Sequence, residues 1–368
     1  MTAALTTDAG AGVPSWRRWL QALWPVAATL ALGLAGAALC VYLHTPLPWM
    51  IGPLLAVAGL RMAGAPLRLP QPMRNGGQWI IGLALGLNFT PAVTAQLLQY
   101  AHWVILSVGV ALVVGVLGGR LLQRLSGVDS KTAFFAIAIG GSSEMAIQAE
   151  RYGGRVDQVA AAHSLRILMV VLIIPGLFRL FGLHGTDLYV PVGATFDPRG
   201  FAQLAVLTLA VGWVLNRFRV PNAWIIGPLL VTIALTAGGI QWSTAPRWMV
   251  NIGQLLIGCA LGIRFNRAFM RTAPRYMASV AAASLLLMGV MAAFGLGLAW
   301  VSGIPGPTAV LATAPGGIAE MSLTAKVLQF GVPLVTVFHV SRVLTMVLSI
   351  GPLYAWLRPW LERERPVR

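Results

Sequence analysis

Apolar residues run along this chain in long continuous blocks, separated by short loops that carry single Arg or Lys side chains. A membrane-spanning helix needs about 20 consecutive apolar residues, and most of the blocks approach that length. The alternating polarity of a membrane β-barrel strand is missing, so helices are expected rather than a barrel. Twelve blocks can be drawn, at 22–43, 48–63, 76–90, 100–119, 132–149 and 158–182, then at 201–216, 222–239, 250–263, 276–301, 307–325 and 333–357.

The second six blocks repeat the first six. NGGQWIIGLALGLNF at 75–89 answers NIGQLLIGCALGIRF at 251–265, so Asn75, Gln78, Gly82 and Gly86 stand opposite Asn251, Gln254, Gly258 and Gly262. PWMIGPLLA at 48–56 answers AWIIGPLLV at 223–231. GGSSEMA at 140–146 answers GGIAEMS at 316–322, and HSLRILMV at 163–170 answers HVSRVLTM at 339–346. Four matches at a nearly constant offset of about 176 mark a tandem duplication.

Composition supports the membrane reading: 57% of the 368 residues are apolar and 10% charged, against about a quarter charged in soluble domains. The net charge of +16 lies in scattered loop residues rather than in a basic, aromatic-interleaved run, so no direct nucleic-acid contact is expected. Loop charge also bears on topology. Cytoplasmic loops collect Lys and Arg, and Arg17 and Arg18 before the first block put the N-terminus in the cytoplasm. If all twelve blocks cross, the two copies run parallel and 15 loop cations lie inside against 9 outside. If the fifth block of each copy enters and returns, the copies are inverted and the split becomes 20 to 4. Returning the third block instead gives 13 to 11. The expected fold is therefore an all-α polytopic membrane protein of two inverted-topology repeats of about 176 residues. Each has about five spanning helices plus one broken or re-entrant helix. The expected layout is a cytoplasmic N-terminal segment at 1–21, repeats at 22–182 and 201–357, a connecting loop at 183–200, and a basic cytoplasmic tail at 358–368.

The polar residues inside the blocks are few, and the copies share them. Glu144 and Glu320 follow the glycine pairs Gly140-Gly141 and Gly316-Gly317, which interrupt their helices. His163 and Arg166, three apart on one helix face, recur as His339 and Arg342. A charged group at membrane depth costs about 2.5–3.5 kcal/mol on insertion scales, which marks it for function. Arg offers a fork suited to carboxylate or phosphate, and a helix N-terminus after the glycines adds N–H donors and partial positive charge. Arg166, Arg342, the four glycines, Ser142 and Ser143 are thus expected to contact an anionic solute. Glu144 and Glu320 are candidates to exchange a proton, with His163 and His339 as relay or tuning groups. A structural alternative pairs each Arg with a Glu, and Ser142 or Ser143 would serve equally as a helix cap. Gly82, Gly86, Gly258 and Gly262 read as helix-packing positions.

No zinc-protease, nucleophile-elbow or phosphate-loop motif is present, so neither an enzyme nor a cofactor nor a metal is expected. Cys40 and Cys259 imply no disulfide framework. The twice-occurring GPLL, GQ-x-x-IG-x-x-LG, GG-x-x-EM and H-x-x-R motifs, in order over about residues 25–357, resemble the bacterial AbrB membrane family. The resemblance implies a duplicated hydrophobic unit in a bacterial inner membrane. Names used in that family point to regulation of gene expression or to ammonia oxidation, but no DNA-binding module and no redox-metal ligands are found here. The expected function is proton-coupled secondary transport of a small anionic solute, with the solute and the lipid bilayer as partners and a homodimer compatible. The alternative is a membrane-embedded regulator or sensor acting on gene expression indirectly.

Overall fold

The computed structural model describes residues 15–186, 196–265 and 274–362. The expected basic tail beyond residue 362, the loop cations Arg267 and Arg271 counted above, most of the N-terminal segment and the middle of the 183–200 loop lie outside them. So do the expectations resting on the side chains of Arg17, Arg18 and Ser143.

Among the described residues every regular element is a helix. The first copy holds α1 (Ser15–Tyr42), α2 (Pro48–Ala63), α3 (Gln71–Gly86), α4 (Pro91–Gln99), α5 (Ala101–Ser126), α6 (Ser130–Ile137), α7 (Ser142–Arg151) and α8 (Val156–Leu180). The second holds α9 (Pro198–Arg217), α10 (Ala223–Ala237), α11 (Arg247–Gly262), α12 (Pro274–Ser302), α13 (Gly306–Thr313), α14 (Ile318–Val327) and α15 (Val332–Glu362). The bounds of α3, α6 and α7 recur at α11, α13 and α14 exactly one repeat later: 71 and 247, 130 and 306, 142 and 318.

Among the described residues six helices are long and apolar enough to cross a membrane: α1, α5, α8, α9, α12 and α15. Large apolar side chains on them point outward, Trp300, Leu348 and Trp213 among them, as a lipid-facing surface requires. The chain is a multi-pass membrane protein. Helices α2, α3, α10 and α11, with 15 or 16 residues each, reach only about 24 Å. Helix α4 is an addition to the twelve-block pattern. Thr90 caps it, Pro91 starts it, and it turns away from α3 by 87°.

The helices pack as two bundles, and each bundle takes equivalent helices from both copies. The first contains α1–α3 and α9–α11. Here the copies interlock: α2 packs on α11 and α3 on α10. A Cβ on Gly82 would fall 2.3 Å from the Ile225 carbonyl, and one on Gly258 would fall 2.4 Å from that of Met50. The expected packing glycines thus permit backbone-to-backbone contact between copies. The second bundle contains α5–α8 and α12–α15.

Within the second bundle, α6 and α7 form a hairpin. The Arg155 N–H, just before α8, donates to Thr132 Oγ1 at the start of α6 at 2.9 Å. Phe135 stacks on Tyr152 with centroids 5.7 Å apart. The chain therefore goes in along α6, turns at 138–141, and comes back along α7 to where it entered. In the second copy, Gly331 N–H reaches Thr308 Oγ1 at 3.4 Å, closing α13 on α14 in the same way. Two further bonds locate the open ends. Gly185 N–H, past the far end of α8, donates to Leu328 O at the open end of the second hairpin at 2.8 Å. The Tyr152 hydroxyl, at the open end of the first, donates to Gly351 O, twenty residues along α15 from Gly331, at 3.0 Å. The open ends thus sit at opposite ends of α8, a helix of 25 residues, or roughly 37 Å.

Candidate functional site

The two hairpin tips face one cavity of about 100 Å³ between the bundles. From the hairpin bundle it is lined by 139–142, 315–320, Arg166 and Arg342; from the other bundle by Arg74, Gln78, Asn222, Ile225, Ile257, Leu261 and Arg264.

Each GG-x-x-EM motif packs on itself. A Cβ on Gly141 would fall 1.9 Å from Glu144 Oε2, and one on Gly317 would fall 2.1 Å from Glu320 Oε2. Gly140 and Gly316 make the same room for Met145 and Met321. Gly141 and Gly317 are the N-cap residues of α7 and α14. Each Glu carboxylate therefore lies over the first turn of its own helix, where the positive end of the dipole favours it. Glu320 is buried and lines the cavity; Glu144 is half-buried beside it.

The H-x-x-R pairs serve the other half of each tip. His163 Nε2 donates to Phe135 O at 2.8 Å, and its Nδ1 accepts from Arg166 Nη2 at 2.9 Å. That pattern is the neutral Nε2–H tautomer. Arg166 Nη1 donates to Ile137 O at 2.8 Å and Ala138 O at 3.1 Å. These are orphan carbonyls of a helix C-terminus, which need donors when buried. In the second copy His339 Nε2 donates to Leu311 O at 3.0 Å and Arg342 Nη1 to Ala314 O at 2.7 Å. There Nη2 reaches Gly316 O instead of the imidazole, leaving His339 Nδ1 buried without a partner.

The triplets are thus brought together at the tips, Arg and His on the end of one half-helix and Glu on the start of the next. Among the described residues no Arg166 or Arg342 ion pair with a Glu is formed; both guanidiniums bond backbone carbonyls. The hydroxyl of Ser142 does not cap α7 but accepts from Arg264 Nη1 at 2.8 Å.

Arg264, Arg74, Gln78 and Asn222 are site residues that the reading of the buried triplets passes over. Arg264 and Arg74 figure in the sequence only as loop charge. One signal does exist: Arg264 stands one repeat after Asn88 (88 and 264), so the copies differ in charge there. Asn88 spends its amide on the α3 carbonyls of Ala84 and Leu85. A half-buried cation also joins the bundles, because Lys326 Nζ on α14 lies 3.4 Å from Ala84 O on α3. Among the described residues no three His, Cys, Asp or Glu side chains converge as a metal site would need.

Residues 49–358 match the family model described as transition state regulatory protein AbrB. The chain is 26% identical over 334 residues to the Escherichia coli (strain K12) protein named "Putative regulator AbrB", covering 90% of this chain and 95% of that one. It is 27% identical over 366 residues to the Bacillus subtilis (strain 168) protein named "Uncharacterized protein YhjN", covering 92% and 93%.

Proposed function

The chain belongs to the AbrB family, and from that premise we propose that it is a proton-coupled secondary transporter of a small anionic solute. The observation that carries the reading is the cavity where two hairpin tips meet between two bundles, lined by Arg74, Arg166, Arg264 and Arg342. Paired broken elements facing a central site are the arrangement of inverted-repeat transporters.

The same reading takes the copies as inverted in the bacterial inner membrane, with the N-terminus cytoplasmic. Its support is the pair of hairpins opening at opposite ends of α8, together with the 20-to-4 division of loop cations. With α1, α2, α3, α5 and α8 crossing and the hairpin returning, each copy crosses five times, an odd number that inverts the next. Helices α6 and α7, of 8 and 10 residues, are about 12 and 15 Å long, enough to bring each tip near the middle of a core about 30 Å thick. Cysteines introduced at Arg151 and Val327, exposed positions at the two open ends, should label from opposite sides of the membrane. Labelling from one side would overturn inversion.

The sign of coupling follows from charge. Protonating Glu144 or Glu320 adds one positive unit beside the cavity, and a bound anion favours that protonation by the same coupling energy. Proton and anion therefore move together. In this scheme the chain performs no chemistry on the solute and needs no metal or cofactor. Reconstituted protein should accumulate an anion under an inward proton gradient, and Glu320→Gln should abolish that dependence. The printed name of the Escherichia coli relative favours a second reading, a membrane sensor that binds without moving its ligand. Tight binding with no flux under any gradient would establish the sensor and remove the transporter.

A further inference from the structure

We propose that the cavity takes a solute with two negative charges, held by Arg74 and Arg264, which lie outside the duplicated triplets. The proposal rests on the anion-transport reading of the same site and deepens it to a substrate class.

Each hairpin tip nearly neutralises itself. A helix end carries roughly half a unit of charge, negative at the C-terminus and positive at the N-terminus. Arg166 bonds the carbonyls that end α6, and Glu144 covers the start of α7. One full positive and one full negative charge thus meet roughly half a unit of each opposite sign, and the sum is close to zero. Arg342 and Glu320 repeat the balance on α13 and α14.

With both glutamates ionised, four arginines face two carboxylates around the cavity, and the net excess of two positive charges comes from Arg74 and Arg264 of the other bundle. They lie within electrostatic reach of each other, and both reach Glu320. Among the described residues the Arg74 guanidinium has no hydrogen-bond or ion-pair partner, and Arg264 donates to a neutral hydroxyl, that of Ser142. Two neighbouring guanidiniums in excess of the local counter-charge repel each other. A monoanion relieves half of this and a dianion all of it. Arginine's planar fork suits carboxylate, sulfate or phosphate oxygens, while Gln78 and Asn222 add neutral polar groups and Ile225 and Ile257 face a short apolar portion. A cavity of about 100 Å³ admits sulfate or a short dicarboxylate.

The test is calorimetric titration of the purified full-length protein with sulfate and succinate, and with nitrate and acetate at matched ionic strength. A second charge-assisted contact gives the dianions at least about tenfold tighter binding, at one per chain. Arg74→Gln and Arg264→Gln each reduce dianion affinity to the monoanion level. Arg264→Lys retains part of the preference, and Arg217→Gln, an exposed change at the end of α9, retains all of it. Size-exclusion profiles confirm that each variant is folded. Equal affinity for both anion classes, or two monoanions bound per chain, overturns the dianion assignment and leaves the anion site standing. Binding of neither class overturns the anion reading itself.

Discussion

Replacing Arg166 by Met separates a binding arginine from one that holds the fold. The variant removes the donors to Ile137 O, Ala138 O and His163 Nδ1. A buried acceptor left without a partner costs about 1–3 kcal/mol. The tip lines the cavity, so the lower half of the summed range applies, about 3–6 kcal/mol. Arg342→Met orphans two carbonyls, those of Ala314 and Gly316, while His339 Nδ1 is already unpartnered. Its cost is smaller, about 2–4 kcal/mol. At roughly 2 °C per kcal/mol, melting midpoints in detergent without added solute should fall by about 6–12 °C for Arg166→Met and about 4–8 °C for Arg342→Met. A purely solute-binding arginine behaves oppositely, because removing a buried, uncompensated charge raises stability in the empty state. A midpoint that stays within a degree or two, or rises, in both variants refutes the clamp.

Gly141→Ala and Gly317→Ala set a methyl where the Glu carboxylate now lies, displacing it and cutting flux about five- to thirtyfold, the equivalent of one lost cap of ~1–2 kcal/mol. Gly59→Ala and Gly109→Ala, with nothing within 4 Å of the new Cβ, should leave flux intact. His163→Gln preserves a donor to Phe135 O, so the pH profile of uptake should keep its shape, whereas Glu320→Gln should flatten it; a flattened profile in His163→Gln would make the imidazole a relay after all. Ser142→Ala removes the Arg264 contact between bundles and should change solute affinity several-fold, read by titration, with a melting shift of no more than about 2 °C.

Much of this architecture is legible in the chain because it is written twice. The offset near 176, the blocks that became α5, α8, α12 and α15, and the broken fifth block all follow from pattern and loop charge. What the pattern could not carry is contact between elements far apart in sequence. The Arg166 partners are 28 and 29 residues away, and no spacing rule says whether a buried Arg meets a Glu or a carbonyl. Likewise the six-block copies are visible, but not that each copy divides between two bundles, since that depends on α2 meeting α11 and α3 meeting α10. Arg74 and Arg264 look like loop charge for the same reason: only the interlock of copies carries them to the hairpin tips. Helix α4 escaped because nine residues with polar Thr94 and Gln96 among them resemble a loop.

The duplicated and the unduplicated residues divide the work. A feature present in both copies has two equivalent environments, and here both are hairpin turns with the same demands: carbonyls to satisfy at one half-helix end and a dipole to offset at the other. Glu, His and Arg meet those demands in each copy. That accounts for why two such divergent copies share so costly a triplet without requiring that all six groups touch solute. On the proposed reading, recognition of the solute then falls to what the copies do not share. Arg264 replaces Asn88, Ser142 has Ile318 as its counterpart, and Arg74 has Val250. These differences converge on one cavity, which the duplication alone would have left nearly symmetric and nearly uncharged. On the proposed reading, a site specific for one solute follows from that asymmetry.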